Sequence, residues 1–272
     1  MLEFALNPAV EEGAAPSSTA PGEVLLHITD LVKQYPNQDR RALDGVSLQF
    51  HAGEVTAILG ANGSGKTTLL RCAMRLTEPT SGGVQLLGRD LTALQGEELR
   101  QARLPAAMIF QTSNLVRRRS ALANAATGRL GRHSGLRWSL GSVDRDDLVA
   151  GAHALDKVDA LPLAHQRADT LSGGQAQRVA IARALCQDPR VLLADEPVAS
   201  LDPEAADEVM SLLRRLATEE GLAVACVLHQ PEMARWHAHR VIGMRGGAIL
   251  FDEPASTFDL TDLDRLYRGG RT

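Results

Sequence analysis

The sequence predicts an α/β fold: a core with a parallel-strand sheet, an antiparallel β part, and a helical subdomain inserted in the middle of the chain. Strand, loop and helix patterns alternate before residue 101 and return after residue 170. The runs at 191–194 and 223–228 are continuously apolar, which is typical of parallel strands covered on both faces. The stretch between the two halves is rich in Ala, Leu, Arg and Asp and indicates helices.

The elements are assigned in order along residues 23–265, which we expect to form the folded domain. Apolar and polar residues alternate at 46–50, which predicts a strand with one buried face. The runs 240–244 and 248–251 flank an Arg-Gly-Gly turn and predict a hairpin. The other predicted strands are 24–28, 55–59, 84–87, 191–194 and 223–228, and the predicted helices include 67–76, 181–185 and 209–216. The core would therefore comprise residues 23–100 and 171–255, and the helical subdomain about 101–170.

Composition excludes several classes of protein. The net charge is −4 and aromatic residues make up 3% of the chain, so we expect no nucleic-acid partner. The three cysteines lie in apolar stretches without CxxC spacing, which predicts buried reduced thiols rather than a zinc or disulfide site. No run approaches the ~20 apolar residues of a membrane-spanning helix. Residues 1–22 contain acids and no Lys or Arg, so we expect a disordered leader rather than an export signal, and a protein that stays in the cytosol.

Residues 60–67 fit the pattern GxxxxGK[ST] at every fixed position, between a predicted strand and a predicted helix. Glycines let main-chain N–H groups point at phosphate oxygens, and the positive N-terminal end of the helix strengthens the attraction. Lys66 is expected to place a cation between the β- and γ-phosphates, and the Thr67 hydroxyl to bind Mg²⁺. The pattern predicts a nucleoside triphosphate site. The residues expected to bind the nucleotide here are Gly60, Ala61, Asn62, Gly63, Ser64, Gly65, Lys66, Thr67 and Thr68.

A pair of acids follows the apolar strand at 191–194. Asp195 would lie at the carboxyl end of that strand, where α/β sheets bind ligands, and is expected to hold Mg²⁺ through water. Glu196 is placed to polarise the attacking water as general base, since phosphoryl transfer mostly needs positioning and charge neutralisation. Such a pair can also simply cap a helix. Its occurrence beside a phosphate loop favours the catalytic interpretation.

The sequence LSGGQ at 171–175 predicts a third helix N-terminus. Ser172 and, three residues later, Gln175 have the spacing of a capping box. Gly173 and Gly174 would leave N–H groups exposed, which is again favourable for an anion. Alone, the pentapeptide is also compatible with a capped helix and nothing more.

Together the three motifs resemble the ATP-binding cassette (ABC) ATPases, over about residues 24–255. The resemblance implies a P-loop NTPase core of RecA-like fold with a helical signature subdomain, and ATP and Mg²⁺ as cofactors. It also implies that Tyr35 stacks on adenine, that Gln111 touches Mg²⁺ and senses a permease, and that His229 contacts the γ-phosphate. The implied catalytic residues are Glu196, His229 and Gln111, and the implied metal ligands are Thr67, Gln111 and Asp195.

Each motif occurs once in the chain, which bears on the partners that the resemblance implies. In this family the signature of one subunit lies over the ATP held by the other. Ser172, Gly173, Gly174, Gln175 and Asp202 are thus expected to contact a nucleotide bound by a second copy. The implied assembly is an ATP-sandwich dimer with two transmembrane permease subunits and, indirectly, a substrate-binding protein. It implies a peripheral protein on the cytoplasmic face of the inner membrane.

Within the family, the chain is similar to the ATPases of phosphonate importers. The similarity lies in NLVRRRS at 114–120, GRLGR at 128–132, DEPVASLDP at 195–203 and LHQPE at 228–232. Import of phosphonates, phosphite or phosphate esters is the function this implies. Two alternatives stay open: the ATPase of another small ABC transporter, including an exporter, and an accessory ATPase of the carbon–phosphorus lyase complex.

Overall fold

The structure is a computed structural model of the chain, and it describes residues 22–36, 38–133, 143–259 and Leu266. Except for Gly22, the leader predicted at 1–22 lies outside the described residues. The last residues of the predicted domain, 260–265, lie outside them as well.

A six-stranded sheet forms the centre of the fold. Its strands are β3 (Val55–Leu59), β6 (Ala106–Ile109), β7 (Val191–Asp195), β8 (Ala223–Val227), β9 (Arg240–Arg245) and β10 (Ala248–Pro254). Their order is β10-β9-β3-β8-β7-β6, and all neighbours pair in parallel except β9 and β10. The predicted parallel sheet and the predicted hairpin at its edge are both confirmed.

A second, antiparallel sheet contains the N-terminal strands. It consists of β1 (Val24–Lys33), β2 (Leu43–His51), β4 (Ser81–Leu86) and the short β5 (Arg89–Asp90), in the order β2-β1-β4-β5. A two-residue turn, Leu87 and Gly88, separates β4 from β5. Leu87 and Gly88 both have positive φ, +49° and +75°, as a tight two-residue hairpin turn requires, and this leaves Arg89 and Asp90 free to pair with β4.

Helices connect the strands and cover the large sheet. They are α1 (Lys66–Ala73), α2 (Gly96–Ala102), α3 (Ala121–Ala126), α4 (Arg145–Lys157), α5 (Gly173–Cys186), α6 (Pro203–Glu220) and α7 (Pro231–His237). Short 3₁₀ helices lie at Thr127–Arg132, Leu161–Leu163 and Ala168–Thr170. Helices α3, α4 and α5 pack against one another, so the signature helix belongs with the helical part as well as with the core.

The two faces of the large sheet build two separate cores, because successive residues of a strand point to opposite faces. In β7, Leu192 and Ala194 pack with the helices, whereas Val191 and Leu193 pack with α1 and the antiparallel sheet. All five residues of β7 are buried. This explains the continuous apolar runs from which parallel strands were predicted.

The predicted range of the helical subdomain, about 101–170, needs one correction. It contains β6, which pairs with β7 at the edge of the large sheet and therefore belongs to the core. The run at 107–110, just before Gln111, is strand-like in the sequence, and its pairing with the distant strand β7 places it in the sheet of the core.

All three cysteines are buried and free, as predicted. Burial raises the pKa of Cys72 and Cys186 to about 11 and that of Cys226 to about 12, so these thiols stay protonated. In the part of the chain that the structure describes, no helix has the length and apolar character needed to cross a bilayer.

Candidate active site

A cleft of about 570 Å³ lies at the carboxyl ends of the parallel strands, beside the N-terminus of α1. It brings together residues from widely separated parts of the chain. Its lining consists of Tyr35, Gln38, Arg40, Arg41, Ala42, Asn62, Gly63, Ser64, Gly65, Lys66, Thr67, Thr68, Gln111, Glu196 and His229. Most of the residues predicted from the phosphate-loop pattern are therefore found in one place.

The loop between β3 and α1 requires glycine at two of its positions. A Cβ on Gly60 would lie 2.3 Å from the Met244 carbonyl oxygen, and a Cβ on Gly65 would lie 2.4 Å from that of Ala42. Gly65 also has φ +107°, a conformation that L side chains rarely adopt. The loop is thus packed against its neighbours on one side and turns its main chain to the cleft on the other.

Lys66 is nearly buried, and its ammonium group is held inside the loop. Nζ donates to the carbonyl oxygens of Gly60 (2.7 Å) and Ala61 (3.1 Å). Burial lowers the pKa of Lys66, while the nearby carboxylates of Glu196 and Asp195 oppose that shift. A buried cation beside a glycine-rich loop offers a strong binding position for phosphate oxygens.

Thr67 and Asp195, two of the predicted metal ligands, lie in contact with each other. The Thr67 hydroxyl donates to Oδ1 of Asp195 at 2.9 Å. Asp195 is the last residue of the buried strand β7, and burial raises the pKa of its carboxyl group, while the hydrogen bond from Thr67 opposes the shift. The pair sets a hydroxyl and a carboxylate, the oxygen ligands that Mg²⁺ prefers, at one edge of the cleft.

Glu196 follows directly and points to a different partner. Its Oε1 lies 2.6 Å from Nε2 of His229, the residue two positions after β8. Glu196 has φ +53°, an uncommon and strained conformation for a residue with a side chain. The strained turn after β7 thus directs the Asp195 and Glu196 carboxylates to different contacts.

Gln111, the third predicted catalytic residue, lines the cleft just after β6 and is exposed. Tyr35 also lines the cleft, where its hydroxyl is 3.5 Å from Oγ1 of Thr68 and Nζ of Lys33 lies 5.0 Å from its ring centre. The ring is therefore at the cleft, where stacking on a base was predicted.

The sequence interpretation missed the segment that carries Gln38, Arg40, Arg41 and Ala42, all of which line the cleft. Arg40 reaches the main chain of Gly246, at the β9–β10 turn, so the segment folds back over the phosphate loop. The signal available in the sequence was the basic pair Arg40-Arg41, five residues after Tyr35, because two positive charges there are favourable for a phosphate ligand.

Eight predicted residues are not part of the cleft lining, within the part of the chain that the structure describes. Gly60, Ala61 and Asp195 are hydrogen-bonded to the lining residues Lys66 and Thr67, whereas the other five belong to the signature and the loop after β7: Ser172, Gly173, Gly174, Gln175 and Asp202. The predicted capping box at the start of α5 is present, since Oγ of Ser172 accepts from the Gln175 N–H and the Gln175 side chain accepts from the Ser172 N–H. The loop that carries Asp202 lies beside it, because a Cβ on Gly173 would be 3.1 Å from Leu201. The signature and this loop form one surface, distinct from the cleft of the same chain.

The donors and acceptors of the cleft fit a Mg²⁺–nucleoside triphosphate. Oγ of Ser64 is buried, lines the cleft and has no hydrogen-bond partner among the described residues. Together with Lys66 and the start of α1, it provides a cradle for phosphate oxygens, and Thr67 and Asp195 provide oxygen ligands for the cation.

Comparison with known proteins gives a consistent result. The family model described as ABC transporter matches residues 43–199. The phosphonates import ATP-binding protein PhnC of Bordetella parapertussis is 44% identical over 248 residues, which cover 90% of this chain and 96% of that protein. The protein of the same name from Frankia casuarinae is 46% identical over 230 residues, which cover 84% and 91%.

Solved structures show the same fold. The dimeric structure of MJ0796, a bacterial ABC transporter cassette, is 30% identical with a TM-score of 0.74, and covers 86% of this chain and 100% of that one. A second structure, a dimeric post-hydrolysis state of the same cassette bound to ADP and Pi, has the same identity and TM-score.

Proposed function

This chain belongs to the ABC transporter family of ATP-binding proteins, and we propose that it is the ATP-hydrolysing subunit of an importer of phosphonates or related phosphorus oxyanions. The observation that carries the proposal is the meeting of two residue pairs at one edge of the sheet. Thr67 touches Asp195 at 2.9 Å, and Glu196 touches His229 at 2.6 Å. The Thr67–Asp195 pair offers oxygen ligands for a cation, and the Glu196–His229 pair is suited to proton transfer.

In the proposed reaction, Glu196 accepts a proton from a water molecule, whose oxygen forms a bond to the γ-phosphorus. The bond between that phosphorus and the bridging oxygen breaks, and ADP and inorganic phosphate are the products. His229 is proposed to keep Glu196 in place through their 2.6 Å contact and to donate to the γ-phosphate. Lys66 neutralises charge on the phosphates from inside the loop.

Thr67, Asp195 and Gln111 are the residues proposed to hold Mg²⁺, which would neutralise negative charge on the phosphates of the nucleotide. Thr67 and Asp195 are already in contact, and Gln111 lies at the end of the neighbouring strand β6. Tyr35, which also lines the cleft, is proposed to stack on the adenine ring.

The signature residues are proposed to act on a second copy of the chain. Ser172, Gly173, Gly174 and Gln175 form an exposed helix start away from their own cleft, and the Asp202 loop lies beside them. Two copies related by a two-fold axis would each close the nucleotide site of the other. The related MJ0796 cassette, whose structure is dimeric, supports this arrangement.

We propose two permease subunits as further partners, an indirect link to a substrate-binding protein, and a peripheral position on the cytoplasmic face of the inner membrane. Relatives at 44% and 46% identity that are named for phosphonate import support this transported class. An accessory role in a carbon–phosphorus lyase complex and the transport of other molecules are the competing possibilities.

The test is reconstitution of the chain with its permease and binding protein in liposomes. We expect ATP-dependent uptake of methylphosphonate, competition by phosphite or phosphate esters, and loss of uptake with Glu196→Gln. Uptake of a sugar or amino acid instead would retain the ATPase assignment and overturn the substrate. Stable association with soluble lyase subunits, with no uptake of any solute, would overturn the transport function.

A further inference from the structure

Arg183, a half-buried residue of α5, contacts the loop that follows Gln111. Its Nη1 donates to the carbonyl oxygen of Asn114 at 2.8 Å, and its Nη2 donates to that of Ser113 at 2.7 Å. Burial lowers the pKa of Arg183, but an arginine remains charged in proteins. A rigid, charged fork therefore binds two consecutive carbonyl groups of this loop.

The loop depends on side chains for its shape. In the described structure, the main-chain groups of residues 112–115 form no hydrogen bond to other main-chain groups. Asn114 adopts a left-handed conformation with φ +49°, and its side chain accepts from the Thr112 hydroxyl at 2.9 Å. The Arg183 fork thus ties this stretch to a helix of the hydrophobic core.

The helix that carries Arg183 begins at the signature. Ser172 caps α5, and Arg183 lies three turns further along, about 16 Å at 1.5 Å per residue. Helix α5 also packs against the 3₁₀ helix Thr127–Arg132, where a Cβ on Gly128 would lie 2.0 Å from the Arg183 carbonyl oxygen. Helix α5 therefore runs as one continuous element from the capped signature to Arg183, whose side chain contacts the loop after Gln111 and whose carbonyl group lies against Gly128.

We propose that Arg183 is a positioning residue that sets the place of Gln111 at the cleft and links it to the signature end of α5. The inference rests on the proposed function. Gln111 is exposed and lies two residues before Ser113. The position of its main chain therefore depends on the Ser113 carbonyl group, which Arg183 holds. Without the fork, Gln111 would still be present but no longer fixed relative to the cation site at Thr67 and Asp195.

The experiment compares Arg183→Met, which removes every donor, with Arg183→Lys, which keeps the charge and loses the planar fork. Arg103→Met is the matched control, since the Arg103 guanidinium also donates to two consecutive carbonyls, those of Met74 (3.3 Å) and Arg75 (3.2 Å), away from the cleft lining. The measurements are ATP turnover, the Mg²⁺ concentration for half-maximal turnover, ATP affinity in EDTA, and thermal stability.

We expect Arg183→Met to lower turnover by about 10- to 100-fold, the range for misplacing a positioned group by about 1 Å. The half-maximal Mg²⁺ concentration should rise several-fold, while ATP affinity in EDTA stays within about twofold because the phosphate loop is untouched. Arg183→Lys should be intermediate. In a Gln111→Ala background, Arg183→Met should add less than about threefold, because its effect acts through Gln111.

Three results would overturn the inference: turnover and Mg²⁺ dependence that match those of Arg103→Met, full additivity with Gln111→Ala, or a loss of ATP affinity in EDTA as large as the loss of turnover. If Arg183→Met fails to fold, Arg183→Lys decides by the same three criteria. A wild-type chain that hydrolyses no ATP, alone or with its permease, would instead contradict the proposed function. The two failures are therefore distinguishable.

Discussion

Replacing Glu196 by Gln should separate nucleotide binding from hydrolysis. Glutamine keeps an oxygen that can accept from Nε2 of His229, so the 2.6 Å contact can persist without the carboxylate charge. The Glu196 side chain is 18% exposed and that of His229 is 37% exposed, and a partly solvated pair of this kind contributes at most about 1 kcal/mol to stability. Loss of a general base costs about 100- to 10,000-fold in rate, or about 2.7 to 5.4 kcal/mol of barrier. The catalytic effect should therefore far exceed the effect on folding.

The assay is phosphate release under saturating Mg²⁺-ATP, with size-exclusion chromatography of the same samples. We expect turnover at least about 100-fold slower, ATP affinity within about threefold of wild type, and an ATP-dependent shift to a dimer. Glu98→Gln, the same charge change in the first turn of α2, is the control and should leave all three measurements unchanged. Turnover by the Glu196 variant within threefold of wild type would refute the assignment of a general base at this position.

Three further outcomes follow from the contacts and pKa shifts. Lys66→Ala removes the buried cation and should weaken ATP binding at least about 10-fold by calorimetry, the loss expected for one charged hydrogen bond; unchanged affinity would contradict the phosphate-loop assignment. His239 accepts the Val55 N–H at 2.9 Å through Nδ1, and burial lowers its pKa, so its contribution to stability is present above about pH 6.5 and is lost as the pH falls through the folded-state pKa. His239→Asn should therefore flatten the fall in urea-unfolding free energy as the pH drops below about 6.5, and an unchanged slope would assign the pH dependence to other groups. The cysteines should react slowly with a thiol reagent at pH 7 to 9 in the native protein and fully in guanidinium, because their pKa values of about 11 to 12 keep them protonated; fast native labelling would show that the apolar packing opens. They are Cys72, Cys186 and Cys226.

The sequence predicts those parts of the site that depend on local geometry. The phosphate loop was identified because glycine spacing, a preceding buried strand and a following helix are all continuous in the chain. Asp195 was placed near Thr67, 128 positions away, because both follow parallel strands of one sheet and such strands end at the same edge. In both cases the pattern needs no knowledge of distant side chains.

The parts that were missed depend on tertiary contacts. Arg40 enters the cleft because its segment folds back against Gly246 at the β9–β10 turn, and no periodicity in the sequence indicates that approach. Arg183 lies in an apolar helix, where the sequence alone suggests an ordinary solvent-facing residue. Its partners are nevertheless the carbonyl groups of Asn114 and Ser113, which lie 69 and 70 positions earlier in the chain. Side-chain bonds to irregular main chain carry no sequence pattern, since every residue has a carbonyl group.

The capping box at the start of α5 also explains why the signature contains two glycines. The box uses the N–H groups of Ser172 and Gln175, each of which donates to a side-chain oxygen of the other residue. The N–H groups of Gly173 and Gly174 have no hydrogen-bond partner among the described residues, as the first turn of a helix requires. A Cβ on Gly173 would lie 3.1 Å from the Leu201 side chain, and a Cβ on Gly174 would lie 3.1 Å from the Ala205 side chain. Larger residues at these two positions would therefore press on the segment that carries Asp202. Small residues thus keep two donors accessible beside Asp202, as the proposed contact with a phosphate group held by a second copy of the chain requires.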